Sequence, residues 1–343
     1  MHVVATAGHV DHGKSTLVRA LTGMEPDRLA EERRRGLTIE LGYAWTALPS
    51  GRRLAFVDVP GHERFLGTML AGVGPVPAVM FVVAADEGWM PQSEEHLVAL
   101  EALGVRHCLL VVTRADLADP APATREAGAR LAAALGAGSR GGSGTGQGHM
   151  GQGRAGQDQT GQGRAGQDQT GQGRAVVVSG RTGQGLEELR EALDRLVAAL
   201  PPPDPEAPVR LWIDRAFSVT GSGTVVTGTL PAGTVSVGDE LLLAGEPVRV
   251  RALESLKEPI DTVTGVARVA VNLRGHDPPE RGQALVTPGQ WTYTDSVDVR
   301  ITLVGRHADT RPALEPGPGS GSAGQEGRAL PGRLTAHIGS AAV

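Results

Sequence analysis

Residues 8–15, Gly-His-Val-Asp-His-Gly-Lys-Ser, have the residue types and spacing of a phosphate-binding loop. Gly8 and Gly13 allow a tight backbone turn in which successive N–H groups point at one anion. Lys14 can then reach the β- and γ-phosphates of a nucleotide, and Ser15 can bind Mg²⁺. The other phosphate contacts are predicted from the same stretch: His9, Val10, Asp11, His12 and Thr16.

Lysine is rare in this sequence, which makes its presence in the loop informative. The chain has 33 basic residues, of which only Lys14 and Lys257 are lysines. An ammonium group is a compact point charge on a slim stem, whereas a guanidinium group is a broad fork. The choice of lysine at position 14 therefore favours a phosphate-binding role over a glycine turn with an incidental cation.

Residues 34–39, Arg-Arg-Gly-Leu-Thr-Ile, follow the loop at a distance that suits a nucleotide switch. A threonine in this position can close over Mg²⁺ and the γ-phosphate, so we expect Thr38 to be ordered while that phosphate is present. The charged run at 27–35 that precedes it is equally compatible with a solvated surface.

Residues 58–63, Asp-Val-Pro-Gly-His-Glu, directly follow a predicted strand. An aspartate at the carboxyl end of a strand is well placed to reach the Mg²⁺ shell through water, which is the role expected for Asp58. The Gly61 N–H can sense the γ-phosphate, and His62 is predicted to orient the attacking water. Catalysis is therefore assigned to His62 with Lys14 and Thr38.

Residues 113–116, Thr-Arg-Ala-Asp, are similar to the Asn-Lys-x-Asp base-recognition motif of GTPases. The Asp116 carboxylate can accept hydrogen bonds from N1–H and the exocyclic amine of guanine, which adenine cannot supply. Arg114 can cover the base plane, whereas Thr113 cannot make the paired hydrogen bonds of an asparagine amide. Backbone N–H groups of Ser179 and Gly180 are expected at guanine O6.

The elements that must position these residues alternate between buried strands and helices. Strands are predicted at 2–7, 41–48, 53–59, 78–84, 107–113 and 175–179, and helices at 15–22, 93–103 and 186–200. This βαβ alternation indicates an α/β P-loop domain at 1–200, with a mostly parallel sheet that binds ligands at its carboxyl edge. The decapeptide repeats within 139–174 lack apolar residues and predict a disordered insertion.

After the proline-rich linker at 201–205 the pattern changes to short alternating strands, which are predicted at 209–213, 223–230, 240–243, 248–256, 263–273 and 283–286. Residues 208–289 are predicted to form a β-barrel, and residues 290–343 an incomplete second barrel. A net charge of −5 excludes a global basic field for nucleic acids. The single Cys108 excludes an internal disulfide, and neither a signal peptide nor a membrane span is recognisable. A cytoplasmic monomer is expected.

Together these motifs resemble the translational GTPases of the elongation factor Tu group. Within that group the chain is similar to the bacterial selenocysteine-specific elongation factors, the SelB family. The more specific similarity lies in Asp-Arg-Leu at 27–29, Glu-Glu at 31–32, Gly-Leu-Thr-Ile-Glu-Leu-Gly-Tyr at 36–43, the glycine- and threonine-rich stretch at 215–229 and His-Ile-Gly-Ser-Ala at 337–341.

The resemblance implies GTP and Mg²⁺ as ligands, and a factor that carries selenocysteinyl-tRNA to a ribosome paused at a recoded UGA codon. It implies an apolar gate of Val10 and Leu37 that restrains His62, and a transition-state role for Asp11. It also implies a selenocysteine pocket formed by Asp214, Arg215 and Arg268. Binding of a messenger hairpin is expected only through a C-terminal region that this sequence does not contain.

Two other functions are compatible with the same sequence. The chain could be a general elongation factor or an initiation factor γ-like GTPase, which would prefer a different aminoacyl-tRNA. It could also be a nucleotide-binding remnant without delivery function, an alternative raised by the changed base motif and the short final domain. The presence of Lys14 and His62 argues against the remnant.

Overall fold

The computed structural model describes residues 1–26, 30–35, 37–136, 175–219, 223–274, 278–292, 294, 337–338 and 341–342. The repetitive insertion predicted at 139–174 lies outside the described residues, as does most of the domain predicted at 290–343. Two short paired strands, His337–Ile338 and Ala341–Ala342, are the described part of the C-terminal stretch. Within the described residues, no helix has the length and apolar character needed to cross a membrane.

The first domain is built on a six-stranded mixed sheet in the order β2-β3-β1-β4-β5-β6. Only β2 runs antiparallel to its neighbour, as expected for a hairpin joined by a short turn at 48–52. The strands are β1 His2–Ala7, β2 Gly42–Ala47, β3 Arg53–Asp58, β4 Ala78–Ala84, β5 His107–Thr113 and β6 Val176–Val177.

Helices cover both faces of this sheet, which explains why its central strands are almost continuously apolar. Side chains of α1 and α6 pack on one face, and side chains of α3, α4 and α5 pack on the other. The helices are α1 Lys14–Thr22, α2 Ala30–Arg35, α3 Leu66–Val73, α4 Pro91–Ala102, α5 Ala121–Gly136 and α6 Leu186–Ala198. The helices leave open the end of the sheet at which the carboxyl termini of β1, β3 and β5 lie, and a ligand can bind there.

The second domain is an antiparallel β structure with one apolar core, as its period-two pattern predicts. Its strands are β7 Arg210–Trp212, β8 Arg215–Val219, β9 Gly223–Leu230, β10 Thr234–Ser236, β11 Glu240–Leu243, β12 Glu246–Ser255, β13 Glu258–Ile260, β14 Thr262–Thr264, β15 Ala267–Leu273 and β16 Ala284–Val286. β8 is an edge strand that pairs only with β9 among the described residues.

Two sequence predictions differ from the observed elements for local reasons. The strand predicted at 263–273 is interrupted, because the Gly265 N–H donates to the Gly233 carbonyl and not to a ladder partner. The charged run before Thr38 contains the short helix α2, whose Glu32 is buried. That buried carboxylate argues against a wholly solvated surface.

Candidate functional site

The phosphate-binding loop connects β1 to α1 and has three residues in the left-handed backbone region. Gly8, Asp11 and Gly13 have φ values of 125°, 63° and 84°. Asp11 is the one residue of the three that is not glycine, and a positive φ at such a residue is unusual and typical of functional sites. A Cβ atom at Gly8 would lie 2.1 Å from the Val82 carbonyl oxygen, so only glycine fits there. α1 begins at Lys14 without a side-chain cap, which leaves its N-terminal amides available to an anion.

The loop opens on a cavity of about 410 Å³. Its lining contains most of the predicted phosphate and metal contacts: Val10, Asp11, Gly13, Lys14, Ser15, Thr16, Arg19, Glu25, Glu32, Leu37, Thr38 and Gly61. The Lys14 ammonium is buried at its mouth and donates to the Gly8 and His9 carbonyls at 3.0 and 2.7 Å. The two residues predicted to form an apolar gate, Val10 and Leu37, therefore line one cavity.

Helix α4 supports the loop from behind through two side chains one turn apart. The Gly8 N–H donates to His96 Nδ1 at 3.0 Å, and the Val10 N–H donates to Gln92 Oε1 at 3.1 Å. Burial, with a smaller contribution from nearby Lys14, lowers the pKa of His96 to about 3, so the ring is a neutral acceptor at pH 7. Burial likewise lowers the pKa of His12 to about 4.

The three predicted metal contacts meet at the edge of this cavity. Ser15 Oγ lies 2.9 Å from Thr38 Oγ1, and Thr38 is 7% exposed. Asp58 is fully buried; its Oδ1 accepts from Thr6 Oγ1 at 2.8 Å, while its Oδ2 makes no hydrogen bond within the described residues. Burial raises the pKa of Asp58, against the opposing effect of the nearby Ser15 hydroxyl and Lys14. Two hydroxyls and an unsatisfied carboxylate oxygen are a donor set suited to Mg²⁺.

Glu32 holds the segment that carries Thr38. Its Oε1 accepts from the Ile39 and Glu40 backbone N–H groups, both at 3.0 Å, and the residue is 3% exposed. Two charge-assisted hydrogen bonds to consecutive amides fix the chain directly after Thr38. In the sequence Glu32 stands out only as part of the Glu-Glu pair at 31–32, and its role was not predicted, because it lies inside a charged run that shows no sign of burial.

Gly61 and His62 follow β3, and Gly61 lines the cavity. A Cβ atom at Gly61 would be 2.5 Å from both Lys14 Nζ and the Val10 nitrogen, so the backbone packs directly on the phosphate loop. His62 is half-buried, and its Nδ1 accepts from the Arg64 N–H at 3.2 Å. A neutral imidazole that accepts at Nδ1 carries its proton on Nε2, so the group it presents is a donor that can orient a water.

A second cavity of about 220 Å³ adjoins the first and holds the predicted base-binding residues. Asp116, Thr113 and Arg114 line it with Ser179 and Gly180. The Ser179 hydroxyl lowers the pKa of Asp116, with a further contribution from the arginine at position 181. The Ser179 N–H donates to the Gln184 carbonyl at 3.0 Å. Of the two backbone N–H groups predicted to bind guanine O6, Gly180 therefore supplies the one that this hydrogen bond does not use.

Thr113 and Arg114 connect the base-binding turn to the phosphate loop. Thr113 Oγ1 donates to the His12 carbonyl at 2.7 Å, and Arg114 Nη2 donates to the Asp11 carbonyl. Arg114 Nη1 is held by Asp86 at 2.9 Å and Glu87 at 2.6 Å. The residues that depart from the Asn-Lys-x-Asp pattern thus still tie the two loops together.

The three residues assigned to a selenocysteine pocket lie at the junction between the two domains. Arg268 Nη1 pairs with Asp214 Oδ2, and the Arg268 guanidinium carbon lies 3.7 Å from the Tyr43 ring centroid. The Tyr43 hydroxyl donates to Asp214 Oδ2 at 2.9 Å, and Arg215 Nη2 donates to the Leu41 carbonyl at 2.6 Å. The geometry therefore brings the three residues together and adds Tyr43 from β2.

A sequence profile of the elongation factor Tu GTP-binding domain matches residues 1–199. The chain belongs to this family. Its first domain is accordingly a GTPase domain of the elongation factor type, in agreement with the loop, switch and base-binding geometry described above. The mostly parallel sheet of the first domain and the all-β second domain agree with the fold class predicted from the sequence.

Curated relatives within the family carry more specific names. The chain is 38% identical over 299 residues to the "Selenocysteine-specific elongation factor" of Escherichia coli, covering 85% of this chain and 42% of that protein. It is 37% identical over 303 residues to the protein of the same name from Haemophilus influenzae, covering 87% and 43%. The chain thus spans about two fifths of the length of these relatives.

Solved structures give the same picture of the fold. A structure described as the bacterial selenocysteine-specific elongation factor EF-Sec aligns with a TM-score of 0.69 and 33% identity, over 84% of this chain and 45% of that one. The translation elongation factor SelB from Methanococcus maripaludis with the GTP analogue GppNHp aligns with a TM-score of 0.65 over 84% and 55%. Its 24% identity supports the fold alone.

Several functional contacts were not found from the sequence, although some left a signal. Gln92 and His96 stand four residues apart on α4, a spacing that puts both on one helix face beside the loop. Tyr43 is one of only two tyrosines in the chain, but its partner Asp214 is 171 residues away. No local pattern predicts a contact at that separation.

Proposed function

We propose that this chain binds GTP and delivers selenocysteinyl-tRNA to the ribosome at recoded UGA codons, with GTP hydrolysis releasing the tRNA. Support comes from the family match at residues 1–199 and from the names of relatives at 37–38% identity. The matched region is about two fifths of the length of those relatives. The cargo and the ribosome as partner are therefore part of this proposal.

The observation that carries the proposal is the junction of Tyr43, Asp214, Arg215 and Arg268. Tyr43, Arg215 and Arg268 line a cavity of about 220 Å³ between the domains, and Asp214 pairs with Arg268. A selenol is ionised at neutral pH while a serine hydroxyl is not, so guanidinium groups in a confined cavity distinguish the two side chains by charge. Arg268 is 11% exposed and Arg215 is 28% exposed.

We assign the chemistry of GTP to the phosphate end of the site. Lys14 and the loop amides neutralise the β- and γ-phosphates, and Asp11 contributes to transition-state charge. Ser15 and Thr38 would hold Mg²⁺ directly and Asp58 would hold it through water; when bound, the ion withdraws charge from the bridging phosphate oxygens. The Gly61 N–H contacts the γ-phosphate, and the Nε2 proton of His62 orients the attacking water.

The test of cargo is a binding titration with GTP present, using selenocysteinyl-tRNA and seryl-tRNA that share one tRNA body. A preference of at least tenfold for the selenocysteinyl form is expected, and Arg215→Met should reduce that preference. Arg195→Met, on the exposed face of α6, is the matched control. Equal affinity for both tRNAs with GTP bound would overturn the cargo and favour a general elongation factor.

The test of hydrolysis is His62→Ala, measured with ribosomes and with nucleotide alone. We expect GTP affinity to change less than threefold, because His62 does not line the phosphate cavity. We expect ribosome-stimulated turnover to fall by at least a hundredfold, as it does when other single catalytic groups are removed. Phe65→Leu in the same 3₁₀ turn controls for local disruption. Unchanged turnover in His62→Ala would remove His62 from the mechanism.

A further inference from the structure

Among the residues that line the cavity between the domains, three carry a positive charge. They are Arg215, Lys257 and Arg268, and Glu254 lines the same cavity with a negative charge. The attraction of each cation for an anionic side chain of the cargo depends on how far its neighbours already neutralise it. A close ion pair acts on a third charge only as a dipole, which attracts more weakly than a single charge at the same distance.

Arg268 is neutralised by Asp214. Its Nη1 pairs with Asp214 Oδ2 and its Nη2 lies 3.4 Å from Oδ1, and the two side chains are 11% and 9% exposed. Asp214 also accepts hydrogen bonds from the Tyr43 hydroxyl at 2.9 Å and from Thr227 Oγ1 at 2.6 Å. These contacts use the roughly four acceptor sites of a carboxylate. Arg268 and Asp214 therefore form a buried pair without net charge.

Tyr43 and Thr229 support this pair without adding charge. Arg268 Nη1 donates to Thr229 Oγ1 at 3.1 Å, and the guanidinium carbon lies 3.7 Å from the centre of the Tyr43 ring. Burial raises the pKa of the Tyr43 hydroxyl, which is therefore a neutral donor at pH 7. The group formed by Tyr43, Asp214, Thr227, Thr229 and Arg268 is called the neutral frame below.

Arg215 is anchored, but its charge is less completely neutralised. Its Nη2 donates to the Leu41 carbonyl at 2.6 Å, a contact that orients the guanidinium and leaves its charge in place. Glu40 lies 3.5 Å from the same nitrogen, with a side chain that is 49% exposed, so water screens this ion pair. Among the described residues, no hydrogen bond or ion pair involves Nη1 or Nε of Arg215. These N–H groups remain for a ligand.

Lys257 is the most exposed of the three cations. It lies in the hairpin between β12 and β13, with its Nζ 5.7 Å from the centre of the Trp45 ring. An ammonium group is strongly hydrated, and water and salt screen its attraction for an anion at an exposed position. Lys257 is therefore expected to contribute little, and it offers a control variant in the same cavity.

We propose that Arg215 is the residue that distinguishes an anionic cargo side chain from a neutral one, and that the neutral frame positions the wall of the cavity around it. The inference rests on the proposed delivery of selenocysteinyl-tRNA. It divides the residues assigned to that cargo into two roles. Arg215 contacts the selenolate, whereas Asp214 and Arg268 give the cavity its shape and contribute no discrimination by charge.

A cysteine cargo tests this division, because pH changes its charge without changing its shape. The pKa of an unperturbed thiol is about 8.5, so the thiolate fraction rises from about 3% at pH 7 to about 76% at pH 9. Over the same range a selenol stays ionised and a serine hydroxyl stays neutral. The experiment measures dissociation constants, with GTP present, for selenocysteinyl-, cysteinyl- and seryl-tRNA that share one tRNA body and carry a hydrolysis-resistant amide linkage.

The natural chain should bind cysteinyl-tRNA at least about fivefold more tightly at pH 9 than at pH 7, relative to seryl-tRNA. A rise of this size follows if the anion binds about tenfold more tightly than the neutral thiol. Arg215→Met should abolish the rise. Arg215→Gln should abolish it too, although its amide can still donate to the Leu41 carbonyl, so the two variants separate the charge from the anchor.

Variants of the neutral frame and of the rim should behave differently. Asp214→Leu combined with Arg268→Met removes one charge of each sign and leaves no buried charge unpaired, so it should keep the rise. Lys257→Met, the matched control, should keep it as well. GTP affinity and urea unfolding of each variant verify that both domains are folded.

The outcomes separate the inference from the function on which it rests. Equal affinity of the natural chain for selenocysteinyl- and seryl-tRNA at pH 7 would overturn the proposed cargo and the inference with it. A preference for selenocysteinyl-tRNA without a rise for cysteinyl-tRNA would overturn the inference alone. So would a rise that persists in both Arg215 variants, or one that is lost in the double variant or in Lys257→Met.

Discussion

The phosphate end of the nucleotide site and the junction between the domains are built on different principles. The phosphate end is made mainly of backbone groups from one continuous stretch, residues 8–15, shaped by positive φ values and buttressed by α4. The junction is made of side chains from three separate segments, represented by Tyr43, Asp214 and Arg268. One depends on chain geometry, and the other depends on how two domains pack.

This difference explains what each region tolerates. A loop that binds through amides accepts many side chains but no change at Gly8, since a Cβ atom there meets the backbone of Val82. A junction of paired charges is sensitive to the removal of one partner, because the charge left behind remains buried. The variants below test these two rules, beginning with the largest expected change in the free energy of unfolding.

Gly8→Ala should have the largest effect. The new Cβ would lie 2.1 Å from the Val82 carbonyl oxygen at a φ of 125°, and backbone cannot move aside cheaply. We expect a loss of more than about 4 kcal/mol in the free energy of unfolding, measured by urea denaturation, and no GTP binding. Gly51→Ala, also at positive φ but with open space around it, should lose only about 1 kcal/mol. Similar losses in both variants would contradict the packing argument.

Arg268→Ala should have the next largest effect, a loss of about 2–4 kcal/mol in the free energy of unfolding. Asp214, which is 9% exposed, would lose its guanidinium partner. The double variant Asp214→Leu with Arg268→Met replaces the pair by apolar groups of similar size and should recover much of that loss. Both are measured by thermal and urea unfolding. If the double variant is as unstable as the single one, an unpaired charge is not the cause.

Acid should weaken the phosphate end selectively. Burial lowers the pKa values of His12 and His96 to about 4 and about 3, below the ordinary value of 6.5. Below pH 6.5 these histidines bind a proton in the unfolded state but not in the folded state, so the folded state loses stability as the pH falls toward 4. The expected loss in the free energy of unfolding is about 2 kcal/mol per histidine by pH 5. His96→Gln, which keeps an acceptor for the Gly8 N–H, should flatten the dependence of stability on pH. An unchanged slope would contradict the assignment.

The smallest effect is expected at the rim of the junction. Arg53 of β3 and Glu258 of β13 form a bidentate ion pair across the domains, at 2.5 and 2.9 Å, with both side chains about half exposed. Glu258→Gln should barely change the free energy of unfolding, and should change it less still at high salt. A loss comparable to that of Arg268→Ala would show that the rim and the buried centre contribute alike.

The sequence predicted the phosphate end well because its information is local. The spacing from Gly8 to Ser15 and the placement of Thr38 and Asp58 after it correspond to groups that meet in the fold. The strand predicted at 223–230 coincides with β9, and the helix predicted at 186–200 differs from α6 by two residues. Strong periodicity and glycine turns carried those assignments.

Other features could not be predicted, because they depend on contacts distant in sequence. The burial of Glu32 depends on where its own helix packs, and the role of Tyr43 depends on the docking of a domain that begins 160 residues later. The family resemblance identified Asp214, Arg215 and Arg268 as a group but gave no geometry. The pairing of Arg268 with Asp214 and the hydrogen bond from Arg215 to the Leu41 carbonyl came from the structure alone.

The scarcity of lysine has a practical consequence for observing this molecule. Lys14 is buried and donates to two carbonyls, whereas Lys257 is exposed at the hairpin between β12 and β13, with its Nζ 5.7 Å from the centre of the Trp45 ring. Of the two lysine side chains, Lys257 is therefore the one that an amine-reactive dye would label, next to an indole of the other domain. Indole quenches many dyes on contact. The fluorescence of the dye on Lys257 would therefore report separation of the two domains without any mutation.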